Sequence, residues 1–363
     1  MDKISHLSQY ELYIHPKDYQ ELRRDIWNDE PLPAKLKIGK KKLDIDIAYR
    51  GSHIRKFKKK SYQIAFYKPK IYRGAKEIHL NAEFKDPSLI RNKLSFDFFS
   101  DIGVLSPHSQ HIFLSINGRT EGIYLELESV DEYFLKRRGL PNGGIFYAVD
   151  GDANFSLMSD LDKEIKRSLD LGYEKKWGTK QDLTYLQEMI LAVNTIPRAE
   201  FEYNIQQYIN VPQYLKWLAG IVCTQNYDGF VHNYALYRNG ETGLFEMIPW
   251  DYDATWGRDI NGKEMEEDYV RVEGYNTLTA RLLDVDSFRK KYQYLLKNIM
   301  DEIYTFDYLQ PKIEELYKQI KPYVNKDPYI KDRLDQFENE PELILQFIEK
   351  RGNYIRNHLH VLD

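Results

Sequence analysis

Apolar and polar side chains alternate along much of the first 150 residues, and a period of two is typical of half-buried β-strands. This alternation predicts strands at residues 10–15, 43–49, 61–67, 111–116, 122–128 and 144–148. Asn117-Gly118 predicts a tight hairpin between the fourth and fifth of them. Helical signals interrupt the strands twice, from Asp86-Pro87 to Gly103 and from the capping sequence Ser129-Val130-Asp131-Glu132 to Gly139.

Beyond residue 150 the apolar positions recur mostly with the spacing of a helix. Helices are predicted at about 182–195, 211–226, 288–303, 309–324 and 341–359, with a β-hairpin at 233–248 among them. The patterns together predict an α+β fold with a strand-rich N-terminal lobe, residues 1–150, and a helix-rich C-terminal lobe, residues 151–363. This order of elements is that of a bilobal protein-kinase-like fold.

Composition excludes several classes of protein. The 363 residues are 42% hydrophobic and 30% charged, with a net charge of −4, so a globally basic nucleic-acid binder is not expected. No apolar run approaches the ~18 residues of a membrane span, and the first five residues do not begin a signal peptide. The single cysteine, Cys223, allows no intrachain disulfide. We therefore expect a protein of a reducing cytoplasm with no nucleic-acid and no membrane partner.

The most informative polar residues surround the hairpin at 233–248. Asp228 precedes Asn233 by five positions, and Asp251-Tyr252-Asp253 follows the second strand. Antiparallel arms of similar length bring Asn233 and residues 249–251 to one edge of the sheet. In kinase-type phosphoryl transfer an Asp orients the acceptor hydroxyl, while an Asn and a later Asp hold the metal ions that bridge the nucleotide phosphates.

This arrangement predicts Asp228 as the catalytic residue. It predicts Asn233, Asp251 and Asp253 as ligands of Mg²⁺ or Mn²⁺, since both ions prefer oxygen donors. The alternative is that Asp228 and Asn233 cap loops and that the acidic segment is a solvated turn.

The most basic segment of the chain, residues 50–61, leads into the predicted strand at 61–67. A kinase-type site needs a lysine on such a strand to pair with the nucleotide phosphates. Lys60 is the first candidate and Lys59 the second, because the strand register is uncertain by one residue. Arg50 and Ser52 could close over the phosphates. A solvated face or a nucleic-acid patch are the alternatives, and the acidic balance of the chain counts against the latter.

Several of these segments, taken together and in order, resemble the CotH family of atypical protein kinases over essentially the whole chain. The matching segments are Arg50-Gly51-Ser52, Lys59-Lys60-Ser61-Tyr62, Asp86 with Arg91-Asn92-Lys93-Leu94, Asn117-Gly118 with Gly122-Ile123-Tyr124, Asn226-Tyr227-Asp228 and Pro249-Trp250-Asp251-Tyr252-Asp253. The resemblance implies that Asp228 is catalytic and that Asp251 binds metal.

The resemblance also implies an activity and a setting. The expected reaction is transfer of the ATP γ-phosphate to Ser or Thr of Ser-rich, basic spore coat proteins, as a step needed for coat assembly. The expected location is the cytoplasm of the sporulating mother cell and then the inner layers of the spore coat.

The chain departs from ordinary protein kinases in several motifs. It has no Gly-x-Gly-x-x-Gly loop, no His-Arg before Asp228 and no Ala-Pro-Glu segment, so control by an activation loop is not expected. Either Glu77 or Glu83 could be the partner of Lys60. The adenine is expected to stack on an aromatic side chain such as Trp250 or Tyr147, and residues 127–130 occupy the position of a kinase hinge by analogy alone.

Two other functions remain open. The chain has 29 Tyr and could be a non-catalytic coat scaffold that recruits other coat proteins through a tyrosine-rich surface. A glycosidase could use Asp228 and Asp251 as its carboxylate pair, but it gives no role to Lys60 or Asn233. For a kinase, the acidic residues Glu264, Glu266, Glu267 and Asp268 would suit basic substrates.

Overall fold

The structure, a computed structural model, describes residues 6–67 and 71–363; the first five residues, for which no signal peptide is expected, lie outside the described part. The strands are β1 (Ser8–Ile14), β2 (Leu32–Ile38), β3 (Lys41–Tyr49), β4 (Tyr62–Phe66), β5 (Glu77–Asn81), β6 (Ser109–Ile116), β7 (Arg119–Glu128), β8 (Ile145–Ala148), β9 (Tyr173–Trp177), β10 (Tyr234–Arg238) and β11 (Phe245–Pro249). The helices are α1 (Pro16–Arg24), α2 (Arg91–Asp101), α3 (Glu132–Arg137), α4 (Lys180–Thr195), α5 (Arg198–Asn204), α6 (Val211–Thr224), α7 (Thr277–Leu283), α8 (Asp286–Glu302), α9 (Phe306–Val324) and α10 (Leu334–His358).

The chain forms two compact units, each built from segments that are separated in sequence. The first contains the described part of Met1–Leu94 together with Pro107–Ser129 and Pro311–Leu343. The second contains Ser95–Ser106, Val130–Gln310 and Ile344–Asp363. The sequence predicts contiguous lobes at 1–150 and 151–363, which stay a prediction about the functional division of the chain.

The strands of the first unit close into a barrel in the order β1-β2-β3-β4-β5-β7-β6. β1 and β6 pair in parallel, from Ser8 opposite Ile112 to Leu12 opposite Ile116, and this pairing closes the barrel. The alternating apolar side chains face a common buried core that includes Tyr10, Leu12, Ile14, Leu36, Ile45, Ile47, Ile64, Leu80, Ile112 and Leu114. The period of two in the sequence is therefore the inward face of the barrel.

The predicted hairpin at Asn117-Gly118 is confirmed and also ties two strands together. Both residues adopt left-handed backbone angles, with φ of 48° and 77°, as a two-residue hairpin turn requires. The Asn117 side chain accepts from the Ile14 amide and donates to the Ile14 carbonyl, each over 2.9 Å. The turn between β6 and β7 thus fixes the end of β1.

The helix expected from residue 86 begins instead at Arg91. The Asp86 carboxylate accepts hydrogen bonds from the Ser88 and Arg91 amides, and Leu89 has a φ of 61°, so residues 86–90 form a loop. Asp86 and Glu340 both form ion pairs with Arg91, over 2.7 and 2.6 Å. The Asp86-Pro87 signal therefore marks a buried loop and not a helix cap.

The cap of α3 is also displaced from its predicted position. Asp131 is the capping residue, because its carboxylate accepts from the Tyr133 and Phe134 amides. The Ser129 hydroxyl donates to Glu77 over 3.0 Å instead. The prediction of a capping box that starts at Ser129 is wrong by two residues.

The second unit contains a sheet with the strand order β11-β10-β8-β9. α6 contacts this sheet, and its residues are almost all buried. Gly220 on α6 allows a close approach, since a β-carbon there would lie 2.4 Å from the ring of Phe99. α6 is thus a buried helix, and it lies within the range 211–226 predicted from the sequence.

The predicted class, α+β with a strand-rich N-terminal region and a helix-rich C-terminal part, is confirmed. Sequence patterns missed β2, β5, β9, α1, α5 and α7. β5 is buried at every position, including Glu77 and His79, so it shows no apolar alternation. α1 is short and buries only Leu22. No helix in the described part of the chain is both long enough and apolar enough to span a bilayer.

Candidate active site

α6 delivers Asp228 to the start of a short loop. The helix begins with the Asn210 side chain accepting from the Gln213 amide, and it ends where Gln225 turns left-handed with a φ of 58°. Asp228 then opens a 3-10 turn, Asp228–Phe230, and its side chain is half-exposed. The Asp228 carbonyl accepts from the Val231 and His232 amides over 3.1 and 2.9 Å. The catalytic candidate is therefore held by its backbone while its carboxylate reaches solvent.

The hairpin brings the metal-binding candidates to one edge, as predicted. β10 pairs with β11 from Tyr234 opposite Pro249 to Arg238 opposite Phe245. Beyond this ladder, the Trp250 amide donates to the Asn233 carbonyl over 3.2 Å. Asn233 and Asp251 therefore lie at the same end of the hairpin.

Asn233 and Asp251 both have left-handed backbones, with φ of 58° and 59°. Such angles are uncommon outside glycine, and Asn and Asp tolerate them best. Left-handed non-glycine residues cluster at functional sites, where the surrounding structure enforces them. Two such residues at one hairpin end mark this edge as a candidate site on backbone grounds alone.

Tyr252 anchors the acidic segment in the core. Its side chain is fully buried, with the rings of Phe96 and Phe99 at 6.4 and 5.0 Å between centroids. Its carbonyl accepts from the Thr255 hydroxyl over 2.6 Å. Asp251 and Asp253, on either side, are half-exposed.

A buried arginine that sequence reasoning missed holds both sides of this region. Arg351 on α10 is fully buried and donates from Nε and Nη2 to the Val222 carbonyl on α6, over 3.0 and 2.7 Å. Its Nη1 donates to the Glu267 carbonyl over 2.6 Å. Burial lowers the pKa of Arg351. The arginine joins the end of the helix before Asp228 to the segment after Asp253.

The only sequence signal for this role is the position of Arg351. It occupies a helical stripe whose other members, Ile344, Ile348 and Ile355, are apolar and buried. A lone arginine on an apolar stripe needs internal acceptors. The sequence does not indicate which carbonyls supply them.

The donors at the hairpin edge are oxygen atoms of carboxylate and amide groups, which suit Mg²⁺ or Mn²⁺. Across residues 6–67 and 71–363, no group of three or more His, Cys, Asp or Glu side chains is arranged to hold a metal ion. Mg²⁺ usually takes one or two protein carboxylates and completes its shell with phosphate and water oxygens. The donor set fits a metal that arrives with a nucleotide.

The two aromatic candidates for adenine binding contact each other. The rings of Tyr147 and Trp250 lie 4.7 Å apart between centroids, tilted by 57°. The Tyr147 hydroxyl accepts from the Val130 amide over 2.8 Å. The hinge-like residue Val130 thus already uses its amide within the second unit.

The two lysine candidates have different environments in the first unit. Lys59 is buried and forms a 3.0 Å ion pair with the fully buried Asp327, and its ammonium also donates to the Ile123 carbonyl. Burial lowers the pKa of Lys59. Lys60 is half-exposed and donates to the Arg55 carbonyl. Lys60 is therefore the more accessible of the two.

Asp327 fills a space that depends on a glycine. Its carboxylate also accepts from the Ile123 and Tyr329 amides, over 2.9 and 2.8 Å. Gly122 has a φ of 93°, and a β-carbon there would lie 2.1 Å from Asp327. The close approach of the Asp327 carboxylate therefore explains why position 122 of β7 is a glycine.

The remaining candidates in the first unit are Arg50, Ser52, Glu77 and Glu83. Arg50 donates to the Asn81 side chain, and Ser52 is exposed just before a 3-10 turn, His53–Lys56. Glu77 accepts from Ser129 and from Gln63, the latter over 2.7 Å. Glu83 accepts from the Asn92 side chain over 3.2 Å. Neither glutamate is thereby distinguished as the partner of Lys60.

Comparison with known proteins gives one family. The family model described as CotH kinase protein matches residues 47–355. The inner spore coat protein H of Bacillus subtilis (strain 168) is 60% identical over 100% of both chains. The inner spore coat protein H-like protein of the same strain is 31% identical, over 83% of this chain and 86% of that protein.

Similarity to solved structures is weaker. A chain of the Shewanella oneidensis MR-1 toxin–antitoxin complex of HipA, HipB and operator DNA is 13% identical and has a TM-score of 0.41. The match covers 98% of this chain and 76% of that chain. At this TM-score the likeness carries no argument about function.

Proposed function

The chain belongs to the CotH kinase protein family, and from this premise we propose that it is an atypical protein kinase that transfers the ATP γ-phosphate to Ser or Thr. Membership in this family implies use of a nucleotide and a divalent metal in general. The specific choice of ATP with Mg²⁺ or Mn²⁺ is part of the proposal. A full-length relative named as an inner spore coat protein supports Ser-rich, basic spore coat proteins as acceptors.

One observation carries the proposal. The Trp250 amide donates to the Asn233 carbonyl, so Asn233 and Asp251 lie at the same end of the hairpin. Asn233 follows Asp228 by five residues. A kinase-type site requires these side chains in this order. The left-handed backbones of Asn233 and Asp251 add support, since such residues cluster at functional sites.

Each residue has a separate role in the proposed reaction. Asp228 accepts a hydrogen bond from the acceptor hydroxyl and takes its proton as that oxygen bonds to the γ-phosphorus and the bond to ADP breaks. Asn233, Asp251 and Asp253 would hold the metal. Bound Mg²⁺ or Mn²⁺ neutralises charge on the phosphate oxygens.

We assign the binding of the nucleotide phosphates to basic residues of the first unit. We assign the pairing to Lys60 ahead of Lys59, because Lys59 is already committed to Asp327. Arg50 and Ser52 would contact the phosphates, and Trp250 or Tyr147 would stack on the adenine. In this assignment residues 1–150 act as the nucleotide lobe and 151–363 as the catalytic lobe.

The proposed setting is the cytoplasm of the sporulating mother cell and then the inner layers of the spore coat. The name of the 60% identical relative supports the coat location. There the phosphorylation of coat proteins would be needed for coat assembly.

The test is transfer of radiolabelled γ-phosphate from ATP, with Mg²⁺ or Mn²⁺, onto a Ser-rich basic coat protein. Wild type is compared with Asp228→Asn, Asp251→Asn and the control Asp301→Asn, an exposed residue of α8. We expect label with wild type and the control, and a loss of about 10²-fold or more in both site variants. Absence of label with folded wild-type protein and its coat partner would favour the scaffold function.

A further inference from the structure

Three tyrosines form a connected cluster that begins next to Asp228. The ring of Tyr227 lies 5.4 Å from that of Tyr269 and 5.2 Å from that of Tyr275, both with edge-to-face geometry. Tyr227 and Tyr269 are 43% and 53% exposed. We call Tyr227, Tyr269 and Tyr275 the tyrosine platform.

The platform is bordered by exposed acidic side chains. Glu264, Glu266 and Asp268 lie within the five residues before Tyr269, and all three are exposed. Glu264 forms an ion pair with Arg258 over 3.8 Å. Burial, the neighbouring tyrosines and the negative charges of Asp228 and Asp160 raise the pKa of Tyr227. Acidic side chains thus lie on both sides of the exposed rings in sequence, with Asp228 after Tyr227 and Asp268 before Tyr269.

One ring of the platform makes a cation–π contact with an arginine of the same chain. The guanidinium of Arg271 lies 4.6 Å from the centroid of Tyr275. A guanidinium or ammonium group over a tyrosine ring is attracted by the negative face of the ring. The exposed rings of Tyr227 and Tyr269 can make the same cation–π contact that Tyr275 makes with Arg271.

We propose that the tyrosine platform binds a Lys or Arg side chain of the acceptor segment, beside the hydroxyl that Asp228 receives. The inference rests on the proposed function, because Tyr227 is joined to Asp228 by one peptide bond. A cationic peptide matches both the aromatic faces and the carboxylates of Glu266 and Asp268. A second copy of this chain is disfavoured as the occupant, since each copy carries a net charge of −4.

The test measures binding without catalysis. A fluorescent peptide with Lys and Arg around an Ala in place of the acceptor Ser is titrated with the full-length protein, and a peptide with Gln in place of Lys and Arg serves as its neutral match. We expect Tyr269→Ala and the pair Glu266→Gln/Asp268→Asn each to weaken binding of the cationic peptide about two- to fivefold. Tyr269→Phe should bind like wild type, because it keeps the ring face.

The control is Tyr203→Ala, which removes an equally large side chain that is 77% exposed on α5. It should leave binding unchanged. Wild-type binding to the cationic peptide that equals that of the neutral peptide, or of Tyr269→Ala, overturns the proposal. Self-association of wild type that Tyr269→Ala abolishes would also overturn it and assign the surface to a second copy. The phosphotransfer assay separately decides the proposed function.

Discussion

The carbonyl oxygen of Asn233 accepts a hydrogen bond from the amide of Trp250 over 3.2 Å, one position beyond the last paired residues of the hairpin. This bond places Asn233 and Asp251 at one edge, and both have left-handed backbones. Their identity as Asn and Asp therefore has two possible causes, the backbone angle and the side-chain oxygen. Substitution by glycine separates the two.

Asn233→Gly should strongly lower activity while leaving the fold intact. Glycine adopts a φ of 58° without strain, which offsets its greater loss of backbone entropy, so the free energy of unfolding should change by less than about 1 kcal/mol. Loss of the amide oxygen should lower kcat/KM on the order of 10²-fold. Urea unfolding and phosphotransfer measure the two effects. Asn239→Gly, at the opposite end of the hairpin, should keep full activity; an active Asn233→Gly enzyme would remove the amide from the site.

Lys59→Met should destabilise the protein strongly, because it leaves Asp327 buried without a counter-charge. Breaking a buried pair in this way costs about 3–5 kcal/mol. Adding Asp327→Asn should recover part of the loss, because the neutral amide removes the buried unpaired charge. Its single oxygen keeps only one of the two bonds that the carboxylate oxygens accept from the Ile123 and Tyr329 amides. Urea unfolding of the single and double variants measures this recovery.

Lys60→Met is the matched control for that experiment. Lys60 is half-exposed, so we expect a loss of less than about 1 kcal/mol in the free energy of unfolding. Phosphotransfer by Lys60→Met should nevertheless fall, and KM for ATP should rise. Full activity in this variant, together with a stable but inactive Lys59→Met, would exchange the roles of the two lysines.

The sequence could predict the site hairpin because every signal there is local. β-favouring residues flank a turn, and the end of the pairing then places Asn233 near Asp251 without knowledge of any other element. The environments of Lys59 and Lys60 could not be predicted in this way. The two lysines are neighbours in one basic segment, and they differ because Lys59 forms an ion pair with Asp327, which lies 268 positions away.

The same limit applies to the two corrected helix starts. Asp86 and Ser129 have the side chains of good caps, but their hydrogen bonds serve Arg91 and Glu77. A capping residue and a residue that satisfies a buried polar partner look alike in sequence. Only the tertiary structure decides which hydrogen-bond partner the side chain meets.

Stability should fall as the pH drops from about 6.5 towards 4 because of His111. Burial, opposed by a hydrogen bond to the Leu89 carbonyl, lowers the pKa of His111 from 6.5 to about 4. The unfolded chain then binds a proton in this pH range while the folded protein does not, so folding stability increases with pH. At pH 5 the expected loss relative to pH 7.5 is about 2 kcal/mol from this group.

Urea unfolding at pH 7.5 and 5.0 measures this loss against His111→Gln, which keeps a donor but does not titrate. The variant should lose about 2 kcal/mol less than wild type between the two pH values. Equal losses in both proteins would mean that His111 takes up its proton in the folded state.

Arg351→Lys should lower kcat more than it raises either KM. A lysine ammonium keeps the positive charge but lacks the planar fork with which Arg351 joins the Val222 and Glu267 carbonyls. Without these hydrogen bonds the segment after Asp253 is no longer fixed to the helix that precedes Asp228. Small displacements of catalytic groups reduce rates by up to about 10²-fold.

The control for this prediction is Arg356→Lys, an exposed arginine on the same helix that donates from Nη2 to the single carbonyl of Met300 over 3.1 Å. Steady-state phosphotransfer should give this variant the kcat of wild type. A purely structural role for Arg351 would lower the free energy of unfolding of Arg351→Lys while the folded fraction kept its kcat. A lower kcat per folded molecule, with both KM values retained, is what identifies Arg351 as a positioning residue, because the substrates still bind but meet catalytic groups that are no longer aligned.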